Sequence, residues 1–161
     1  RIVYISGYMI CKTVEKYSQF ELNQSWQINT LRPVQIVKRL NKRVSSFTFC
    51  YLSTESIVKG SYDDVYFLTK TASTRFIEEF RLSSPNSRIF CIAPSTIDSG
   101  MTLRRTDVER LNNYKEALRN KRFIGVTEIS MIIIDLLSDN WAYLSNETIN
   151  INFGKFARKE I

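Results

Sequence analysis

The stretch "YFLTK" at residues 66–70 puts a tyrosine four positions ahead of a lysine, and its reading decides the fold of this 161-residue chain. On a helix, residues i and i+4 lie one above the other, so Tyr66 and Lys70 can point at one place. An ammonium beside a phenol favours phenolate and would lower the Tyr66 pKa from its ordinary ~10. The spacing alone decides nothing, because "YMICK" at residues 8–12 repeats it. The flanking sequence separates the two. Ahead of Tyr66 stands the β-rich run "FTFCYL" (47–52), closing on Ser53, thirteen residues before the tyrosine. A turn there can bring a hydroxyl beside the phenol. Tyr8 directly follows the strand-ending Gly7, where a regular helix is less assured, and reads as chance or as a pocket wall.

Working outward, "IVYI" (2–5) reads as a strand ending at Ser6-Gly7. Residues 23–43 carry Trp26, Val34, Val37 and Leu40 at helical spacing, with Asn23 or Ser25 as the expected N-cap and Pro33 inside the helix. The segment 62–82 reads as a second helix, with Val65, Leu68, Ala72, Phe76 and Phe80 on one face. "RIFCIAP" (88–94) is the next strand, stopped by Pro94. Thr106 with Glu109 gives a capping-box pattern for a polar helix to about Asn120. Thr127 is the expected cap of an apolar helix through Ile129, Ile133 and Leu136, and "ETININF" (147–153) alternates as a strand. Strands alternating with helices, the strands apolar almost throughout, predict one α/β domain over 1–161 with a parallel sheet covered on both faces. Ligands in such folds bind at the carboxyl ends of strands, here Gly7, Ser53 and the stretch after Pro94.

Composition narrows the chemistry. The chain has no histidine, which removes Ser-His-Asp and Cys-His catalysis and most zinc sites, and Cys11, Cys50 and Cys91 lack metal-ligand spacing. No metal is expected. The free thiols fit a reduced, cytoplasmic setting. The longest apolar runs, such as "MIIIDLL" (131–137), fall short of the ~20 residues of a membrane span. A net charge of +7 without a long basic run or reader motif argues against nucleic acid and suits an anionic cofactor or substrate. Arg104, Arg105, Arg110, Lys115, Arg119, Lys121 and Arg122 read either as a solvated face or as an attraction for such an anion.

Ser, then Tyr-x-x-x-Lys, between a strand and a long helix resembles the short-chain dehydrogenases/reductases, in their compact single-domain branch. "IVYISG" takes the place of that family's Asn-Asn-Ala-Gly strand, keeping Gly7 and departing at Tyr4, Ile5 and Ser6. "WQIN" resembles the segment ending in the family's catalytic asparagine, here Asn29. "PSTIDSGM" is similar to the Pro-Gly-x-Val-x-Thr-x-Met stretch that holds the nicotinamide: Pro94, Ile97 and Met101 match, Ser95 replaces the glycine, and Ser99 keeps the threonine's hydroxyl. The resemblance implies the carboxyl-terminal portion of a Rossmann-like fold, from about the fourth strand onward, without the amino-terminal nucleotide-binding half.

What the resemblance implies for function is hydride transfer between NAD(P)(H) and a carbonyl or alcohol substrate, with NADP slightly favoured over NAD. Tyr66 would give or take the proton and Ser53 would orient the oxygen. Lys70 would lower the Tyr66 pKa and hold the ribose, and Asn29 would maintain a water relay. Gly7, Tyr66, Lys70, Pro94, Ile97 and Ser99 would contact cofactor, and residues 101–122 would form a lid. Pro33 offers no N–H to the carbonyl of residue 29, so a kink and a free inward carbonyl able to hold the relay water are expected. Helices 23–43 and 62–82 would pair copies into a homodimer or homotetramer. The other class of reading is a catalytically silent binding or assembly module on the same fold, and Ser95, where backbone lies close to cofactor in relatives, is the residue that favours it.

Overall fold

The computed structural model describes residues 1–105 and 107–154. In chain order the elements are β1 (Ile2–Tyr4), a 3-10 turn (Val14–Lys16), α1 (Gln19–Trp26), a π-helical turn (Gln27–Leu31) and α2 (Arg32–Arg43). Then come β2 (Thr48–Leu52), α3 (Ser56–Lys59), α4 (Asp64–Glu79) and β3 (Arg88–Pro94). The short β4 (Ile97–Asp98), α5 (Gly100–Leu103), α6 (Val108–Ala117) and β5 (Ile124–Gly125) follow. The described chain closes with α7 (Val126–Leu136), a 3-10 turn (Asp139–Trp141) and β6 (Glu147–Ile151).

The main sheet is parallel throughout, in the order β1-β2-β3-β6. Alternation along its central strands sorts the core into two layers. Phe49, Tyr51, Ile89 and Cys91 pack with Val37 and Ile77 on the α2/α4 side. Cys50, Phe90 and Ile92 pack with Ile129, Ile133 and Leu136 of α7 on the other. Every residue of β3 is buried. This is the two-faced parallel sheet that the apolar strands predict. Cys50 and Cys91 are buried and all three thiols are free. Among the described residues no helix is long and apolar enough to cross a membrane.

Several boundaries differ from expectation. The first long helix starts earlier, because Ser18 and Glu21 form a reciprocal capping box ahead of Asn23 and Ser25. Where a kink is expected, the helix widens instead: the Arg32 amide bonds the Gln27 carbonyl five residues back, and α2 resumes with Pro33 in its first turn. The expected cap Thr106 lies outside the described residues, and α6 begins at Val108 after Asp107. Gly125, not Thr127, precedes α7, with its amide donating to Glu128 Oε2 at 2.8 Å.

Arg88 closes the far end of α7. The residue is 7% exposed, and its guanidinium donates to the carbonyls of Ser138 (2.9 Å) and Trp141 (2.5 Å), with longer bonds to Leu136 and Leu137. A cation at a helix carboxyl end also meets the negative end of the dipole. Arg88→Met keeps the apolar stem and strands those carbonyls, so it is expected to cost about 1.5–3 kcal/mol, read as a lower Tm in thermal unfolding followed by circular dichroism. An unchanged Tm would show that the chain after α7 is held by packing alone.

Candidate functional site

A cleft of about 200 Å³ opens at the carboxyl ends of β2 and β3, the place that the strand-end rule predicts. Tyr66 and Lys70 both line it from the first turns of α4, together with Gly7's neighbour Met101 and with Pro94, Ile97 and Ser99. The duplicate pattern at Tyr8 is not helical. The Tyr8 backbone instead brackets the side chain of Asn29, and Lys12 pairs with Glu21 at 2.7 Å.

Asp63 explains why α4 begins where it does. One oxygen of its buried carboxylate accepts the Tyr66 amide (2.9 Å) and the Tyr17 hydroxyl (2.5 Å), and the other accepts the amides of Ile10 (2.9 Å) and Cys11 (2.8 Å). Cys11 has φ of +63°, which turns two successive amides onto one anion. Residues 8–17 are thereby tied to the helix that carries Tyr66. Sequence reading passed over Asp63, although an Asp three positions before a helical residue is an N-cap signal.

Ser53 is at the end of β2, with its amide on the Ile92 carbonyl (2.8 Å), but its hydroxyl bonds Thr74 Oγ1 at 2.6 Å. The hydroxyl that lowers the Tyr66 pKa belongs to Thr54, beside Ser53 on the cleft wall. Ser53 continues the face of Phe49 and Tyr51 toward α4 and also lines the cleft, where Thr54 follows it.

Lys70 is 2% exposed, and its ammonium donates to the Leu52 carbonyl at 2.8 Å. The nitrogen stands 4.6 Å from the centre of the Tyr51 ring and 5.9 Å from that of Tyr66. Burial lowers its pKa to about 7, with no carboxylate to offset it. Burial likewise pushes Tyr66 up to about 12, outweighing the Thr54 hydrogen bond, while Asp63 and Cys11 add to the rise. The expected depression of Tyr66 by Lys70 is therefore not found in this state: desolvation of both groups exceeds any mutual benefit.

Asn29 is fully buried at the π turn. Its side-chain oxygen accepts from the Tyr8 amide (2.8 Å), and its amide nitrogen donates to the Tyr8 carbonyl (2.9 Å) and Thr69 Oγ1 (3.0 Å). Its main-chain carbonyl, expected to be free for a water, accepts from the hydroxyls of Tyr51 (2.8 Å) and Ser73 (2.6 Å). Those two protein groups use both lone pairs, which corrects the expected water site.

The remaining positions fall on the cleft. A β-carbon on Gly7 would lie 3.6 Å from Lys70 Nζ and 3.4 Å from Met101 Cε, so glycine leaves room beside the lysine. The Ile97 carbonyl accepts from Thr102 Oγ1 at 2.6 Å and Ser99 accepts the Leu103 amide at 2.9 Å, fixing α5 to the strand end. Ser95 is 5% exposed, and its hydroxyl finds no partner among the described residues. An orphaned donor in a cleft wall and an unfilled space beside Lys70 suit a polar, planar cofactor end. Of the segment 101–122, Met101, Thr102, Arg105 and Tyr114 line the cleft, and Lys59 stands 4.8 Å from the Tyr114 ring centre. Among the described residues no cluster of His, Cys, Asp and Glu is placed to hold a metal ion.

The architecture matches solved structures closely. The angucycline C-6 ketoreductase LanV with bound NADP superposes with a TM-score of 0.85 over 98% of this chain and 63% of its own, at 18% identity. A short-chain dehydrogenase/reductase, glucose/ribitol dehydrogenase, from Brucella melitensis gives 0.83 over 97% and 64%, at 23% identity. NAD+-bound xylitol dehydrogenase gives 0.83 over 94% and 67%, at 18%. The chain has the short-chain dehydrogenase/reductase fold. In sequence it is 27% identical over 126 residues to Nodulation protein G of Rhizobium meliloti, covering 74% of this chain. The chain spans about half the length of that curated relative, 48%. No family model matches it.

The buried lysine of this fold sets a pH test. Folded Lys70 holds its proton only below about 7, while the unfolded chain holds it to the ordinary 10.5. Between those values the unfolded state binds more protons, so Lys70 makes stability rise with pH across that window and imposes its full penalty below it. Lys70→Met is expected to flatten the rise of Tm between pH 7 and 10. An equally steep rise in the variant would assign the effect to other groups.

Proposed function

We propose that this chain forms the catalytic portion of an NAD(P)-dependent oxidoreductase that interconverts a carbonyl and an alcohol. The observation that carries the reading is the convergence of Tyr66, Lys70 and a Thr54 hydroxyl at the carboxyl end of β2, in a cleft also lined by Pro94, Ile97 and Ser99. The likeness to structures described as holding NADP and NAD+ supports a nicotinamide cofactor without choosing between the two.

When bound, the reduced nicotinamide supplies a hydride to the carbonyl carbon, and the carbonyl oxygen then needs one proton to give the alcohol. Tyr66 holds that proton. With its pKa pushed up to about 12, the phenol stays protonated at neutral pH and suits proton donation more than proton abstraction. Thr54, whose hydroxyl lowers the Tyr66 pKa, would share with Ser53 on the same cleft wall the orienting role that the resemblance gave to Ser53. The Thr54 hydroxyl also reaches Ser56 Oγ at 3.3 Å, so hydroxyl contact continues from the phenol along the cleft wall. Lys70, Pro94, Ile97 and Ser99 would hold the nicotinamide end, and Gly7 keeps space for it. Asn29 acts here as a positioning residue, because its carbonyl is filled by Tyr51 and Ser73.

The test is carbonyl reduction by the complete protein with NADH or NADPH. Tyr66→Phe is expected to lower kcat by 100-fold or more, about the worth of a general acid. Thr54→Ala is expected to lower kcat/KM about tenfold or more, while Ser53→Ala lowers Tm with a smaller kinetic effect. Full activity of Tyr66→Phe would leave the silent binding module as the surviving function.

We also propose pairing of copies through the helical faces of residues 23–43 and 62–82. Leu31 and Leu68 are 40% and 51% exposed there, more than a solvated helix face needs. Sedimentation is expected to show a dimer or tetramer for the protein and a smaller species for Leu68→Glu. A monomer in both cases rejects the pairing.

A further inference from the structure

Beside the Tyr66 cleft lies a second pocket of about 290 Å³, and Met9, Met101 and Arg105 line both. Its charged wall holds Arg104, Arg105 and Arg110, facing Asp107. Two of the three guanidiniums are fixed. Arg110 lies over Tyr62 with 3.8 Å from its central carbon to the ring centre. Arg105 binds Asp107 through two nitrogens, with the Nε bond at 2.8 Å, and Arg110 reaches the same carboxylate at 3.9 Å. The other nearby acid, Asp63, sits behind the wall and already accepts four hydrogen bonds from Ile10, Cys11, Tyr17 and Tyr66. Guanidiniums outnumber the carboxylates that neutralise them. Held in place, they lose little side-chain freedom on taking up an anion. The Cys11 thiol lines the same pocket; burial raises its pKa, and Arg105 and Arg110 act against Asp107 and Asp63 on it.

This separates the basic residues of the 101–122 segment. Arg122 bonds Glu128 at 2.6 Å and Lys121 pairs with Glu116 at 3.5 Å, both away from the cleft. Only the arginines at its amino-terminal end face the pocket that adjoins Tyr66.

We propose that this pocket receives an anionic group, of the carboxylate kind, on the far end of the substrate whose carbonyl meets Tyr66. The proposal rests on the oxidoreductase reading of the Tyr66 cleft and narrows it to oxo acids. The two pockets share a wall, so one molecule can place its carbonyl at the phenol and its carboxylate among the arginines. Neutral carbonyl compounds would leave the guanidiniums solvated and gain nothing from them.

The experiment compares benzoylformate, benzoylpropionate and benzoylbutyrate with their methyl esters as substrates of the complete protein, with NADPH and with NADH. At least one acid is expected to exceed its ester in kcat/KM by about tenfold or more, as a charge-assisted hydrogen bond implies. Arg110→Gln and Arg104→Gln should each shrink that ratio severalfold, with Arg110→Lys intermediate. Esters equal to or better than their acids at every chain length overturn the proposal, as does a ratio unchanged in both glutamine variants. If no compound is reduced, the oxidoreductase reading fails by itself. Calorimetric titration with benzoylbutyrate then decides the pocket: binding by the protein that Arg110→Gln loses supports it, and equal or absent binding rejects it.

Discussion

The site depends on one residue that touches no cleft atom, Asn29. Fully buried in the widened helical turn, it binds three other parts of the chain through its backbone and side chain: Tyr8 after β1, Tyr51 of β2, and Thr69 and Ser73 of α4. A buried amide and carbonyl left unpaired would each cost about 1–3 kcal/mol, so the elements can pack only in the arrangement that satisfies all of these groups together. That arrangement sets the depth and rotation of α4, and with them the positions of Tyr66 and Lys70. The proline at residue 33 makes it possible by freeing the carbonyl that Tyr51 and Ser73 then take.

Asp63 applies a second constraint at the start of the same helix. Its four donors come from both sides of the cleft, so the loop of residues 8–17 and the first turn of α4 move as one unit. Between Asn29 and Asp63 the side chains of Tyr66 and Lys70 are held in a buried setting that disfavours their charged forms. Lys70 is buried against a neutral carbonyl and an aromatic face, and Tyr66 is buried beside an acid. The desolvation cost falls on the Tyr66 and Lys70 pair, and the hydrogen-bonded Asn29 and Asp63 networks oppose it.

Much of this was legible in the sequence. Strands whose residues are apolar on both parities specify a sheet covered on both faces, and "FTFCYL" and "RIFCIAP" read that way without ambiguity. The positions of Tyr66, Lys70 and Asn29 followed from helical spacing and from the order of the motifs. Thr54 was less legible: it follows Ser53 on the cleft wall and acts on the Tyr66 phenol, and a count of thirteen residues to the tyrosine does not single it out. The pKa directions were not legible at all. They depend on how far burial outruns a charge pair, and no sequence pattern reports the distance from an ammonium to a ring. Nor could the filling of the Asn29 carbonyl be read, since Tyr51 and Ser73 reach it across separations of 22 and 44 residues.

The filled carbonyl bears on whether a water can be held beside Asn29. A relay through Asn29 would need a lone pair that Tyr51 and Ser73 already occupy, and Tyr51 is itself deeply buried, with its pKa raised mainly by desolvation. Displacing either hydroxyl to admit water would leave a buried donor unpaired. On the other side of Tyr66, Thr54 meets Ser56 on the cleft wall, and no hydrogen bond of the Asn29 network has to break there. Asn29 thus fixes geometry, and the open polar surface of the cleft lies with the hydroxyls at the end of β2.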